Sequence, residues 1–135
     1  MEKYGTSLGM LIKMLDAKAP FLLQCHPTRE NARKYWNSRF GKEECWYVVS
    51  AEPGAVLGIG TTKPLTADEL RAASLDGSIE ELMDWKPVEA GDYYYISAGT
   101  VHAIGAGITL VEVQQYANIT YRLYDYGRPR ELHLD

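Results

Sequence analysis

The chain alternates short β-type runs with turn signals, and this pattern constrains its fold more than any other feature. Three runs lie in the first half: Phe21–His26, Cys45–Ser50 and Ala55–Gly60. Four more follow, separated by glycines: Asp92–Ile96, Val101–Ile104, Ile108–Gln114 and Ile119–Tyr124. Many short strands with glycine-rich turns are typical of an all-β sandwich or barrel. We therefore predict a mainly β fold.

Helical segments interrupt the β pattern. Pro27 suits the first turn of a helix, which we expect to run to about Asn37. Residues 66–69 read Thr-Ala-Asp-Glu and form a capping box, in which the Thr hydroxyl and the Glu carboxylate satisfy backbone N–H groups at the helix start. Gly77 and Ser78 break that helix, and residues 79–85 can form a second short one. The helical insertion, about 66–85, should lie outside the barrel. The apolar run 8–15 fits either a strand or a short helix.

Length and charge narrow the class of protein. The 135 residues suit one domain, 1–135, and a net charge of −4 argues against a nucleic-acid partner. No apolar run approaches the roughly 20 residues that span a bilayer, which predicts no membrane partner. Residues 1–7 lack the features of a signal peptide. Only two cysteines occur, Cys25 and Cys45, and we expect both to be reduced thiols in a cytoplasmic protein.

Four polar residues form a candidate metal set. Gln24 and His26 are two positions apart, so both point to the same face of a strand. Glu44 adds a carboxylate before the next strand, and His102 lies at the start of a later one. Two imidazoles, a carboxylate and an amide oxygen suit Zn²⁺, with Fe²⁺, Mn²⁺, Co²⁺ or Ni²⁺ also possible. The alternative is that both histidines are ordinary hydrogen-bonded residues.

The residues also carry a family resemblance. Gly91 to His102 resembles the second motif of the cupin superfamily, with Ser97 where the motif has proline. More specifically, the chain resembles the type I mannose-6-phosphate isomerases of the short bacterial kind. The matching segments keep the family's order and cover nearly the whole chain: residues 11–27, 41–49, the helical insertion, 89–104 and 111–133. The resemblance implies a single cupin (jelly-roll) β-barrel with a short helical insertion.

The resemblance also implies a reaction and a set of site residues. Gln24, His26, Glu44 and His102 match the family's metal ligands, and the metal is usually zinc. The reaction converts mannose 6-phosphate to fructose 6-phosphate by proton transfer through an enediol, so the expected partner is a sugar or sugar phosphate. The catalytic and substrate-binding candidates are Lys42, Glu112 and Arg122, with Arg128 a further candidate for an anionic contact.

Two departures from the family pattern leave alternatives open. Leu22 replaces a serine that helps to hold phosphate in the family, and leucine cannot donate a hydrogen bond. The chain is also much shorter than the family's enzymes, so an exposed apolar flank is expected, which a homodimer would cover. The alternatives are a sugar-binding module without activity, an isomerase of an unphosphorylated sugar, and a structural barrel without metal.

Overall fold

The computed structural model describes residues 10–117 and 119–134. It contains nine strands and three helices within those residues. The strands are β1 (Met10–Ala17), β2 (Leu23–Cys25), β3 (Glu44–Ala51), β4 (Val56–Thr61), β5 (Met83–Pro87), β6 (Tyr93–Ile96), β7 (His102–Ile104), β8 (Ile108–Gln115) and β9 (Tyr121–Tyr124). The helices are α1 (Arg29–Trp36), α2 (Ala67–Asp76) and α3 (Ile79–Leu82). None of these helices is long and apolar enough to cross a membrane.

The strands form two antiparallel sheets, with the orders β1-β8-β3-β6 and β5-β4-β7-β2-β9. The main core cluster joins them, because it takes Trp46 and Leu110 from the first sheet and Leu57 and Ile104 from the second. In β8, and in β3 as far as Val48, every second side chain is buried between the two sheets, as the period of a strand requires. The mainly β class predicted from the sequence is confirmed.

The run of uncertain type near the start of the chain is the strand β1, which pairs with β8 along its whole length. Its first two residues, 8 and 9, lie outside the described residues. In β1 exposed and half-buried side chains alternate, because only one face of the strand meets the core. The strand interpretation is therefore the correct one.

The helical insertion is confirmed for α2 but was predicted too long at its end. Thr66 and Glu69 form the predicted capping box at the start of α2, and Gly77 ends the helix with a left-handed backbone. The prediction of a helix over residues 79–85 is wrong beyond residue 82, because β5 begins at Met83. Gly58 of β4 leaves room for Trp85 on β5; a Cβ at Gly58 would lie 3.0 Å from that ring. Pairing with β4 therefore overrides the local helical tendency.

The predicted helix after Pro27 is α1, and it starts two residues later than the proline. Thr28 is its N-cap, and the Thr28 hydroxyl accepts a hydrogen bond from the Asn31 amide. Asn37 ends the helix with a left-handed backbone. The chain then returns to the helix start, where the Lys42 amide donates to the Pro27 carbonyl over 3.0 Å.

Gly41 makes this return possible, and Gly41→Ala should destabilise the protein. A Cβ at Gly41 would lie 2.5 Å from the Arg29 nitrogen and 2.7 Å from the Thr28 carbonyl carbon, and backbone atoms cannot move aside. We expect the free energy of unfolding to fall by about 3 kcal/mol, the upper end of the usual cost of overpacking. Urea unfolding measures the change.

Gly54→Ala is the matched control for that measurement. Gly54 has a φ of +82°, but no atom of the described residues lies within 4 Å of its Cβ position. It should lose only the ~1 kcal/mol of a left-handed alanine. Equal losses in the two variants would mean that contact at Gly41 does not matter.

Candidate metal centre

Three buried side chains from different parts of the chain meet between the two sheets. His26 directly follows β2, Glu44 begins β3 and His102 begins β7. One ligand-type atom from each residue lies within 4.8 Å of the others. His26 Nε2 is 3.0 Å from Glu44 Oε1, and His102 Nε2 is 3.8 Å from Glu44 Oε2. The structure therefore brings together three of the four predicted ligands in a group that could hold a metal ion.

The turn between β6 and β7 ties two of these residues together. Gly99 has a φ of +83°, which favours glycine, and its amide donates to the His26 carbonyl over 2.8 Å. The next residue, Thr100, places its carbonyl 2.9 Å from His102 Nδ1. This turn therefore links the His26 backbone to the residue whose carbonyl orients the His102 ring.

The hydrogen bonds of the two rings show which nitrogens face the shared site. His26 Nδ1 lies 2.9 Å from the Ile119 carbonyl, and His102 Nδ1 lies 2.9 Å from the Thr100 carbonyl. A carbonyl only accepts, so each Nδ1 carries a proton, and a ring in its neutral form has its lone pair on Nε2. Among the described residues, neither Nε2 atom has a hydrogen-bond partner with acceptable geometry.

A neutral ring therefore points its Nε2 lone pair at a carboxylate, which is unfavourable unless a cation lies between them. Burial lowers the pKa of His102 to about 4, so this ring is neutral at pH 7. Burial alone would raise the pKa of Glu44, but interactions with His26, His102 and Lys42 outweigh it and hold that pKa at about 2. Histidines that bind metals usually donate their other ring N–H to a carbonyl or carboxylate, as these two do. The group fits a divalent metal ion.

Glu44 is held in place by two further side chains. Lys42 Nζ lies 3.2 Å from Glu44 Oε1, and Trp46 Nε1 donates to Glu44 Oε2 over 3.1 Å. Lys42 is only 6% exposed, so its ammonium is held inside the protein. The Trp46 ring also packs edge-on against His102, with the ring centres 5.5 Å apart. These contacts orient the carboxylate towards both histidines.

The strand register places Gln24 and Arg122 beside this group. Gln24 of β2 pairs with His102 of β7 on one side and with Arg122 of β9 on the other. Directly opposed residues in antiparallel strands share a face, so Gln24 lies on the same face as His102. Its part as the fourth ligand remains a prediction.

Glu112 lies on the inner face of β8, opposite Trp46 of β3 and Lys13 of β1. It is 6% exposed. Burial and the charge of Glu44 raise its pKa to about 7, although Lys42 and Lys13 act against this shift. A carboxyl with a pKa near neutrality can both accept and release a proton at pH 7. Its catalytic role remains a prediction that this environment suits.

Arg122 forms hydrogen bonds with residues near the end of the described chain. Its Nη1 donates to the Glu131 carbonyl over 2.5 Å, and its backbone pairs in both directions with His133. Arg128 contacts the Pro20 carbonyl over 2.8 Å and the Asp125 carboxylate over 2.8 Å. Both arginines were predicted to contact substrate. The structure places Arg122 on β9 and Arg128 in the segment that follows β9, and their substrate contacts remain predictions.

Sequence reasoning did not single out three polar neighbours of the site. Lys13 on β1 and Gln114 on β8 occupy inward positions, and Trp46 carries the indole that orients Glu44. Gln114 is 1% exposed, and its Oε1 has no hydrogen-bond partner among the described atoms. The alternation of residues 108, 110, 112 and 114 was the available signal, because it places two polar residues on an otherwise apolar face.

The opposite pKa shifts of Glu112 and His102 predict how the metal-free protein responds to pH. The lowered pKa of His102 makes stability rise with pH between about 4 and 6.5, where only the unfolded chain binds the proton. The raised pKa of Glu112 makes stability fall between 4.5 and about 7, where the folded chain binds the proton more tightly. Glu44 titrates below this window. The two effects nearly cancel in the parent protein.

Glu112→Gln should expose the contribution of His102. We expect its free energy of unfolding to rise by about 2 kcal/mol from pH 4.5 to 6.5, given 1.36 kcal/mol per unit of pKa shift. The parent should change little over the same range. Urea unfolding in the presence of a chelator measures both proteins. An identical pH dependence in the two would mean that Glu112 does not titrate in this window.

The chain is similar in sequence to curated bacterial proteins along nearly all of its length. It is 40% identical over 136 residues to the mannose-6-phosphate isomerase ManA of Bacillus subtilis, a match that covers 96% of this chain. It is also 40% identical to the mannose-6-phosphate isomerase of Streptococcus mutans over 99% of this chain. The chain is a relative of the bacterial mannose-6-phosphate isomerases. It spans 43% and 45% of the length of these two mannose-6-phosphate isomerases, which is less than half of each.

Solved structures of mannose-6-phosphate isomerases share the fold. The crystal structure of the Bacillus subtilis enzyme matches with a TM-score of 0.87 at 35% identity, over 96% of this chain and 43% of that chain. A putative mannosephosphate isomerase from Archaeoglobus fulgidus matches over 90% of this chain and 40% of its own, with a TM-score of 0.78 at 21% identity, which supports the fold alone. No family model matches the chain. The predicted cupin barrel is confirmed.

Proposed function

We propose that the chain is a metal-dependent aldose–ketose isomerase that interconverts mannose 6-phosphate and fructose 6-phosphate. The observation that carries this proposal is the pair of buried histidines whose Nε2 atoms both face the Glu44 carboxylate. The names of the similar proteins supply the reaction. His26, Glu44, His102 and Gln24 would hold the metal, and the mixed nitrogen and oxygen donors favour zinc.

The reaction moves one proton between C1 and C2 of the sugar. A divalent ion held by these residues would supply Lewis-acid stabilisation of the sugar oxygens. Glu112 is suited to carry the proton, because its pKa of about 7 allows it to take and to return it near neutrality. Lys42 places a buried positive charge beside the site and can stabilise the developing enediolate oxygen.

Recognition of the substrate phosphate requires cationic hydrogen-bond donors near the metal group. Arg122 offers a guanidinium on the same strand face as Gln24, and its side chain would exchange the Glu131 carbonyl for a phosphate oxygen. Lys13 and Arg128 are additional cations. Leu22 is half-buried and donates no side-chain hydrogen bond, so these cations must provide the recognition that the family's serine supplies.

A coupled assay for fructose 6-phosphate tests the proposal. Zinc-loaded protein should turn over mannose 6-phosphate well above a His102→Ala control prepared in the same way. No difference between the two preparations would reject the isomerase.

A sugar-binding module without activity is the second candidate, because the chain spans less than half of its curated relatives. Calorimetry with mannose 6-phosphate and with mannose separates the candidates. Binding of either ligand without turnover would favour the module. Turnover of mannose alone would favour an isomerase of the unphosphorylated sugar.

The proposal extends to the cellular compartment of the protein and to its oligomeric state. Cys25 and Cys45 are free thiols, as expected for a protein of the reducing cytoplasm. Burial raises the pKa of Cys25 to about 11, so this thiol is protonated and unreactive at neutral pH. We also propose that two copies of the chain associate as a homodimer.

A further inference from the structure

The outer face of the β1-β8-β3-β6 sheet carries two adjacent rows of apolar or weakly polar side chains. The strand register aligns the first row as Ile12, Val113, Cys45 and Tyr95. It aligns the second row as Met14, Val111, Tyr47 and Tyr93. Both rows run across all four strands of the sheet. We call these eight residues the outer apolar face.

Much of the outer apolar face is open to solvent. Ile12 and Met14 are 71% and 70% exposed, and Tyr93 is 62% exposed. A tyrosine side chain has about 150–250 Å² of accessible surface. A large side chain with an exposed fraction like these therefore presents roughly 100 Å² to solvent. With Met10 and Val49 at its margin, the face presents on the order of 700 Å². A typical monomer exposes patches of at most about 300–600 Å².

The other sheet shows how helices cover the outer face of a sheet in this fold. Its outer side is covered by α2 and α3, which contribute Ala73 and Ile79 to a second core cluster with Leu23 and Leu123. Sheets in soluble domains usually bury one face and present a polar one to water, or have both faces covered. Within the described residues, no helix is packed against the outer apolar face in this way.

The charge distribution favours a second copy of the chain as the partner. Two copies of a protein with a net charge of −4 repel one another, and an uncharged contact surface adds no like-charge pairs to that repulsion. None of the eight residues of the outer apolar face carries a formal charge at neutral pH. The flanking rows are more polar, with Gln115 paired to Met10 at one end and Asp16 paired to Thr109 at the other. An apolar centre with a polar rim is the usual anatomy of an interface.

We infer that the outer apolar face is the homodimer interface, in which two copies pack sheet against sheet about a twofold axis. Two such sheets would pack about 10 Å apart and interdigitate their side chains. The presented area is close to the ~800 Å² per partner of a standard interface. This assignment rests on the homodimer of the proposed function, but it is independent of the isomerase activity.

Analytical ultracentrifugation of the full chain tests the interface. The parent protein should sediment at twice the chain mass of 15.2 kDa at micromolar concentration. Ile12→Glu and Tyr93→Glu should each raise the dimer dissociation constant at least 100-fold, because the twofold axis buries every new charge twice. Leu75→Glu is the matched control, since Leu75 is 60% exposed on α2, away from the face. It should leave the dimer intact.

Thiol labelling of the unmutated protein keeps the test independent of whether the variants fold. Cys45 lies in the face, whereas the pKa of Cys25 is raised by burial. We expect the labelling rate of Cys45 to fall at least tenfold as the protein concentration passes through the dissociation constant. A monomeric parent, a Cys45 rate independent of concentration, or equal dissociation by Leu75→Glu would each overturn the interface. Turnover is measured separately, so loss of activity alone does not affect this result.

Discussion

His102→Ala should lose both the metal and the activity. The substitution removes one of two buried imidazoles whose Nε2 faces the Glu44 carboxylate, and leaves too few donors for a tight site. Loss of Lewis-acid stabilisation worth several kcal/mol corresponds to a fall in kcat/KM of roughly 1,000-fold. Elemental analysis of the purified protein should find about one metal ion per parent chain and almost none in the variant.

His133→Ala is the control for this experiment. His133 is an exposed histidine that pairs with the Arg122 backbone, outside the metal group. It should keep the full metal content. This result would show that the loss of metal in His102→Ala is specific to that position and does not follow from removing any histidine. Retention of metal by His102→Ala would contradict the assignment of this residue as a ligand.

Lys42→Met should keep the metal and lose most of the turnover. Methionine has a similar length and no charge, so it can occupy the 6% exposed position of Lys42. Glu44 keeps its hydrogen bond from Trp46 and its two histidine neighbours, which preserves the metal group. The missing ammonium should lower kcat by about 10²- to 10³-fold, the range typical of removing one group that stabilises a developing oxyanion.

Metal content and kinetics measured on the same preparation separate this effect from that of His102→Ala. Lys63→Met is the control, because Lys63 is exposed in the loop before α2. It should match the parent protein in both measurements. Full activity in Lys42→Met would contradict a catalytic role for this lysine, and loss of metal would show that it supports the site instead.

The candidate ligands could be found in the sequence because strand geometry is regular. Two-residue spacing places Gln24 and His26 on one face, and glycines mark the turn before His102. Glu44 was added as a nearby carboxylate, and the family resemblance supported this grouping, since no local pattern relates residues that far apart. The side chains that orient the site depend on cross-strand register, and a single sequence does not reveal this register.

Tertiary contacts explain what the sequence pattern misread. Residues 83–85 follow a helix and have no strong strand signal of their own. They extend because β4 offers a paired edge and Gly58 leaves space for Trp85. The contact between Arg122 and the Glu131 carbonyl was equally hidden, because it depends on the chain turning back after Asp125. Local propensity is a weak guide where packing decides the conformation.

Anomalous diffraction at the zinc absorption edge, from crystals of the zinc-loaded chain, tests the metal centre most directly. We expect one strong peak about 2.0–2.2 Å from His26 Nε2, His102 Nε2 and a Glu44 oxygen. The Gln24 amide oxygen should complete the set. A peak elsewhere on the chain, or no peak with the two histidines still facing Glu44, would contradict the metal centre and the isomerase that depends on it.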